Sequence, residues 1–240
     1  MFRDNSKITS QSYLIWASLA FQAGLINAGA FLACHRFVTH TTGFATHFAT
    51  DLAMFRFHEA TSMILVPLFF LFGCMISAHY IDREIHFNRF PKYHIVFFLM
   101  NFFLLVVLIF GLIGMFGEFG SELSIESEFV LIALLGICSG LQNAAISTAS
   151  HSQIRTTHLT GITTDLGIGL YKNLFLKNKK ESSKNSTRLI IIGSFILGSA
   201  IGAFLFVHYQ YFAFTIPLLL TLSLYFLTRK DWLKYDRTTK

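Results

Sequence analysis

Hydrophobic and polar positions along this chain are sorted into long blocks. No Asp, Glu, Lys or Arg occurs in 8–35, 60–81, 93–117, 129–154 or 189–228. A helix needs about 20 apolar residues to cross the hydrocarbon core of a bilayer, so each of the first four blocks predicts one span. The fifth is long enough for two, with "VHYQY" (207–211) as the turn between them. Two shorter stretches, "FATHFATDLAMF" (44–55) and "ITTDLGIGLYKNLF" (162–175), each follow the first span of one half of the chain. At about 1.5 Å per residue, a 14-residue helix covers roughly 21 Å, short of a core of roughly 30 Å. Each is therefore read as a re-entrant or broken half-helix that returns to its own side.

The two halves repeat one another. "GLINAGAFLACH" (24–35) lies over "GLQNAAISTASH" (140–151), and "THTTG" (39–43) over "THLTG" (157–161); ten of these seventeen positions are identical. Three spans per half is an odd number, so the second half runs through the membrane upside down, an architecture common among transporters. The predicted fold class is all-α integral membrane, with six transmembrane helices as an inverted three-plus-three repeat. The first repeat, 1–120, has spans at about 13–34, 60–81 and 94–117 and a half-helix at about 43–56. The second, 121–240, has spans at about 129–150, 189–207 and 211–228 and a half-helix at about 160–175.

Charge sets the orientation. With both termini in the cytoplasm, 17 of the 19 basic residues fall on that side, and only Arg36 and Arg56 fall outside. The external loop "GEFGSELSIESE" (117–128) holds four glutamates and no base. This asymmetry is the positive-inside rule. It explains the net charge of +6 without a nucleic-acid partner; the bilayer is the partner implied. Composition agrees, with 53% hydrophobic and 13% charged residues, against about 25% charged in soluble domains. The apolar run at the N-terminus reaches Cys34, longer than a signal-peptide core of 7–15 residues, and reads as a retained first span. Cys34, Cys74 and Cys138 stand singly and read as packing residues.

The chemistry-bearing residues gather at the two polar words. Thr39, Thr42, Thr157 and Thr160 are placed to cap half-helix N-termini, and Gly43 and Gly161 to permit a sharp bend. Two such N-termini near one axis present positive dipole ends to a common point. His40 and His158 are repeat-related; imidazole titrates near neutrality and passes protons or binds a metal or anion, or else hydrogen-bonds loose backbone at the bend. His47 and Asp51 share a helix face. Asp165 lies on the first turns of the second half-helix, where an intramembrane acid suggests an ion pathway and equally stabilises the helix start. Asp51 is expected nearer the external surface, in a solvated position. Asn27 and Asn143 join helices or touch a permeant, His35 and His151 are expected at the interface, and Arg155 guides an anion or anchors the interface. Small residues such as Gly198 and Gly202 predict close helix packing.

At "FVTHTTG" (37–43), "GLQNA" (140–144) and "TTHLTGITTDL" (156–166) the chain resembles the YoaK-type family of bacterial inner-membrane proteins of unknown function. Asn27 stands where that family often has Asp, and Phe44 where it often has Asn. The resemblance implies a multi-pass protein of the bacterial cytoplasmic (inner) membrane and no established activity. No P-loop, HExxH, GxSxG or paired CxxC occurs, so no familiar enzyme site and no cofactor is predicted. The leading expectation is a transporter or channel for a small polar or anionic solute passing between the half-helices. The alternatives are a membrane redox or metal protein with His35, His40, His47, His151 and His158 as ligands, and a non-catalytic accessory subunit. A homo-oligomer is compatible with all three.

Overall fold

The computed structural model describes residues 10–38, 43–150, 159–178 and 180–238, and among these the chain is helical nearly throughout, with no strand. The elements in order are α1 (Ser10–Cys34), α2 (Phe44–Ala53), α3 (Phe57–Tyr80), α4 (Asp82–His86), α5 (Tyr93–Leu112), α6 (Ile125–Ala149), α7 (Leu159–Leu174), α8 (Lys180–Tyr209), a 3-10 turn (Gln210–Phe214) and α9 (Thr215–Thr238). Among the described residues five segments are long and apolar enough to cross a membrane: Tyr13–Cys34, Phe57–His86, Tyr93–Leu112, Ile125–Ala149 and Glu181–Tyr235. The last of these runs through α8, the 3-10 turn and α9. The turn expected at 207–211 therefore falls slightly later, at 210–214, where Gln210 takes a positive φ of 49°.

Both short helices are present, close to the expected bounds. Helix α2 begins after Gly43, which has φ −78° and ψ −17°, and among the described residues no side chain caps it. Helix α7 is described from Leu159 onward, and Thr160 and Gly161 lie within it. Thr39, Thr42 and Thr157 lie outside the described residues. Neither glycine takes the left-handed conformation expected of a bend, and a Cβ at Gly161 would meet nothing. The sharp reversals come instead at the other ends, where Phe55 (φ 59°) and Lys177 (φ 51°) turn the chain into α3 and α8.

Helices pack in three main pairs, α1 with α8, α3 with α6 and α5 with α9, while α2 lies along α3 and α7 along α8. Glycine decides how close the first two pairs come. A Cβ at Gly24 would lie 2.7 Å from the Ser199 nitrogen and overlap the Phe195 carbonyl; on the other side of the same crossing, one at Gly198 would overlap the Phe21 carbonyl. The α3–α6 crossing has matching contacts. Gly140 faces the carbonyl of Phe70 and the nitrogen of Cys74, and Gly73 faces the carbonyl of Ile137. The polar contacts match too: Ser199 Oγ donates to the Gly24 carbonyl and Cys74 Sγ to the Gly140 carbonyl, each at 3.4 Å. Without a hydrophobic driving force between helices in lipid, such close packing supplies much of the association energy.

At one end of the bundle, Phe116 and Phe119 fold back from the loop after α5 onto Tyr211, and Phe119 stacks on Phe206. Within the bundle, Gln22 donates to Thr221 Oγ1 at 2.6 Å and Gln142 to the Leu19 carbonyl at 2.7 Å. These bonds tie α1 to α9 and to α6.

Gly140→Ala is expected to destabilise by about 1–3 kcal/mol, because the new methyl meets backbone rather than a flexible side chain. Gly193→Ala, where a Cβ meets nothing within 4 Å, should leave the melting temperature in detergent unchanged. Equal melting of the two variants would refute this account of the crossing.

Candidate functional site

The two half-helices differ in length, about 15 Å for the ten residues of α2 and about 24 Å for the sixteen of α7. Each packs along the helix that follows it. A cavity of about 450 Å³ lies where their starts come together. Its wall includes Gly43, Phe44 and His47 from the start of α2, and Leu159, the first described residue of α7. Asn27 and Phe31 of α1 line it, as do Met63 and Val66 of α3 and Phe195 of α8. His35, Arg36 and Phe37, just past the end of α1, complete the lining. Phe195 lies 15 residues into α8, roughly 22 Å along its axis, so the cavity is well inside the bundle.

The cavity brings together three of the residues singled out in the sequence, Asn27, Gly43 and His47, together with His35. His35 ends α1 in a left-handed conformation (φ 55°), its backbone N–H bonding the Phe31 carbonyl. His35, expected at the interface, is exposed and also lines the cavity. Asn143 is buried on α6 and does not line the cavity. Thr160, Gly161 and Asp165 are on the first two turns of α7, all exposed and away from the cavity lining. Thr39, His40, Thr42, Arg155, Thr157 and His158 lie outside the described residues, as does His151. Among the described residues no group of three His, Cys, Asp or Glu side chains is placed to hold a metal ion.

The profile of a family described as "protein of unknown function (DUF1275)" matches residues 15–227. The chain belongs to this family. The match covers nearly the whole bundle, from the second turn of α1 into α9. No curated protein and no solved structure matches the chain.

Two functional candidates in this DUF1275 chain escaped sequence reasoning: Arg36 and its partner Glu128. Arg36 Nε donates to Glu128 Oε1 at 2.9 Å, with the two side chains 19% and 13% exposed. His58 Nε2 stands 3.7 Å from the other carboxylate oxygen. The signal was there, because Arg36 and Arg56 are the two basic residues that break the charge asymmetry, but their partners are not legible from spacing. Arg56 is the second case. Its guanidinium folds back over the α2–α3 turn onto Asp51, while its backbone N–H bonds the Asp51 carbonyl. Asp51 is therefore buried (6% exposed) rather than solvated, as its position near the helix end had suggested.

The pair is asymmetric, Arg56 being half exposed and Asp51 nearly covered. Removing the cation strands a buried carboxylate, whereas removing the carboxylate frees a cation that reaches water. Arg56→Gln should therefore cost about 2 kcal/mol, less than the loss typical of a fully buried pair. Asp51→Asn should cost less, and the double variant should recover much of the difference. Chemical-denaturation midpoints of the four proteins check this, and strictly additive losses would contradict it.

Proposed function

We propose that the protein is a small-solute transporter or channel, whose permeant passes through the cavity between the two half-helix starts. In this reading the chain is a six-span inverted repeat, 1–120 against 121–240, in the bacterial inner membrane with both termini cytoplasmic. Helices α8 and α9 then count as separate spans divided by the 3-10 turn. The observation that carries the reading is that one cavity is walled both by Gly43 and Phe44 at the start of α2 and by Leu159, the first described residue of α7. Irregular backbone at membrane depth is tolerated only beside protein or a water-filled space, and such broken helices are where transporters bind their solutes.

The helix pairing supports the repeat. Exchanging the halves turns the α1–α8 crossing into the α6–α3 crossing, and the α2–α3 contact into the α7–α8 contact. Gly24 with Phe195 and Ser199 corresponds to Gly140 with Phe70 and Cys74, while Gly198 with Phe21 corresponds to Gly73 with Ile137. A constant shift of 116 residues relates the first-span members and one of 125 residues the others. Two crossings that match residue for residue in this way support reading the halves as copies of one unit. The cavity itself is not symmetric: Asn27 lines it and its counterpart Asn143 does not.

Purified protein in liposomes is expected to give saturable flux of at least one member of a broad panel of small polar and anionic solutes, under imposed proton or voltage gradients. Leu159→Trp fills the cavity and should lower that flux at least about tenfold, or about 1.4 kcal/mol in barrier. Leu52→Trp, at an exposed position on α2 away from the cavity, should not. Absence of flux across the whole panel, or an unaffected Leu159→Trp, would sink the proposal.

A further inference from the structure

We propose that the cavity binds a small planar oxyanion of single charge, a carboxylate or an inorganic anion of similar size, and that Arg36 is the residue that holds it. This rests on the reading of the cavity as the solute site. Among the described residues that line it, Arg36 is the one of formal charge. Among the same residues its guanidinium is engaged on one edge. Nε donates to Glu128, and the terminal nitrogens have no further partner among the described residues. A guanidinium is planar, always charged and forked, so its remaining edge matches the two oxygens of a planar oxyanion.

The surroundings strengthen the match. Phe31, Phe37, Phe44, Met63, Val66 and Phe195 make most of the wall carbon, and in such low-dielectric surroundings a charge pair attracts more strongly than in water. The start of helix α2, at Gly43 and Phe44, lines the same cavity, and a helix N-terminus prefers negative charge. Single charge follows from the balance of groups. Glu128 already neutralises Arg36, so every added negative charge is uncompensated in an apolar wall, one for a monoanion and two for a dianion.

Arg56 supplies the control. It is the other basic residue outside the cytoplasmic set, it too is paired to a carboxylate, and it does not line the cavity. The experiment is thermal unfolding of the full chain in detergent, titrated with sodium formate and separately with sodium nitrate. Ionic strength is held constant with sodium fluoride, a monatomic and strongly hydrated anion with no pair of oxygens for the fork. Wild type should show a saturable rise in melting temperature with both anions and a weaker one with chloride, which cannot use the fork. Arg36→Gln should lose the effect. Arg36→Lys keeps the charge and the contact to Glu128, and should raise the half-saturating concentration at least about tenfold because an ammonium lacks the fork. Arg56→Gln should keep the wild-type half-saturation.

The anion proposal is overturned by wild type without a saturable response, by Arg36→Lys titrating like wild type, or by Arg56→Gln losing as much as Arg36→Gln. Chloride acting as strongly as formate and nitrate overturns the planar-oxyanion assignment. If Arg36→Gln fails to fold, Arg36→Lys decides alone. Flux of a neutral polar solute by a protein that shows no anion response overturns this inference and spares the transport reading. Saturable, Arg36-dependent binding in a protein that carries no solute does the reverse.

Discussion

Backbone meets backbone at two places in this bundle, and most of the remaining arrangement depends on those contacts. Lipid tails are as apolar as leucine, so helices in a membrane gain little by burying hydrophobic surface against each other and must gain by fitting closely. Gly24 with Gly198, and Gly140 with Gly73, permit that fit by having no Cβ. They lock α1 to α8 and α6 to α3, and the half-helices follow because α2 rides on α3 and α7 on α8. The cavity is a direct consequence. Phe195, whose carbonyl faces Gly24, and Val66, whose carbonyl faces Gly136, both line it. The crossings that hold the bundle together therefore also set the walls of its internal space.

Charge placement follows a second constraint. The bilayer penalises every ionised group that is neither at the surface nor paired, and in the six-span reading the positive-inside asymmetry places most cations at one face. Arg36 and Arg56 depart from that asymmetry, and each is met by a carboxylate, Glu128 and Asp51 respectively. The partners are reached in different ways. Asp51 is five residues from Arg56, across one turn, so that pair is local and braces the α2–α3 reversal. Glu128 is 92 residues from Arg36 and belongs to the first turn of α6. That pair ties the end of α1 to the start of α6, beside the cavity.

This difference in range explains what the sequence did and did not make legible. Charge-free blocks mark helices because the membrane imposes composition along the chain, and α1, α3, α5 and α6 fall where the blocks predict. The short helices could be read from length, and the close packing at Gly198 from its spacing to Gly202. The start of α2 could not: it follows a Gly43 in helical conformation, with no side-chain cap among the described residues. Asp51 was misread as well. Its place in the chain suggested solvent, but a neighbouring guanidinium and the flank of α3 cover it. The cavity was the least legible feature, since Asn27, Arg36, Met63, Leu159 and Phe195 come from five separate parts of the sequence.

The neutralising contact at Arg36 bears on what such a cavity can do. A passage must bind its solute well enough to admit it and weakly enough to release it. An unpaired guanidinium among phenylalanine rings would hold an anion too tightly to let it leave. Glu128 removes part of that attraction while fixing the direction of the remaining fork, and His58 stands within reach of the same carboxylate. In the transport reading, the strength of the site is thus set partly outside the cavity, by Glu128, whose two oxygens stand against an arginine that lines the cavity and a histidine that does not.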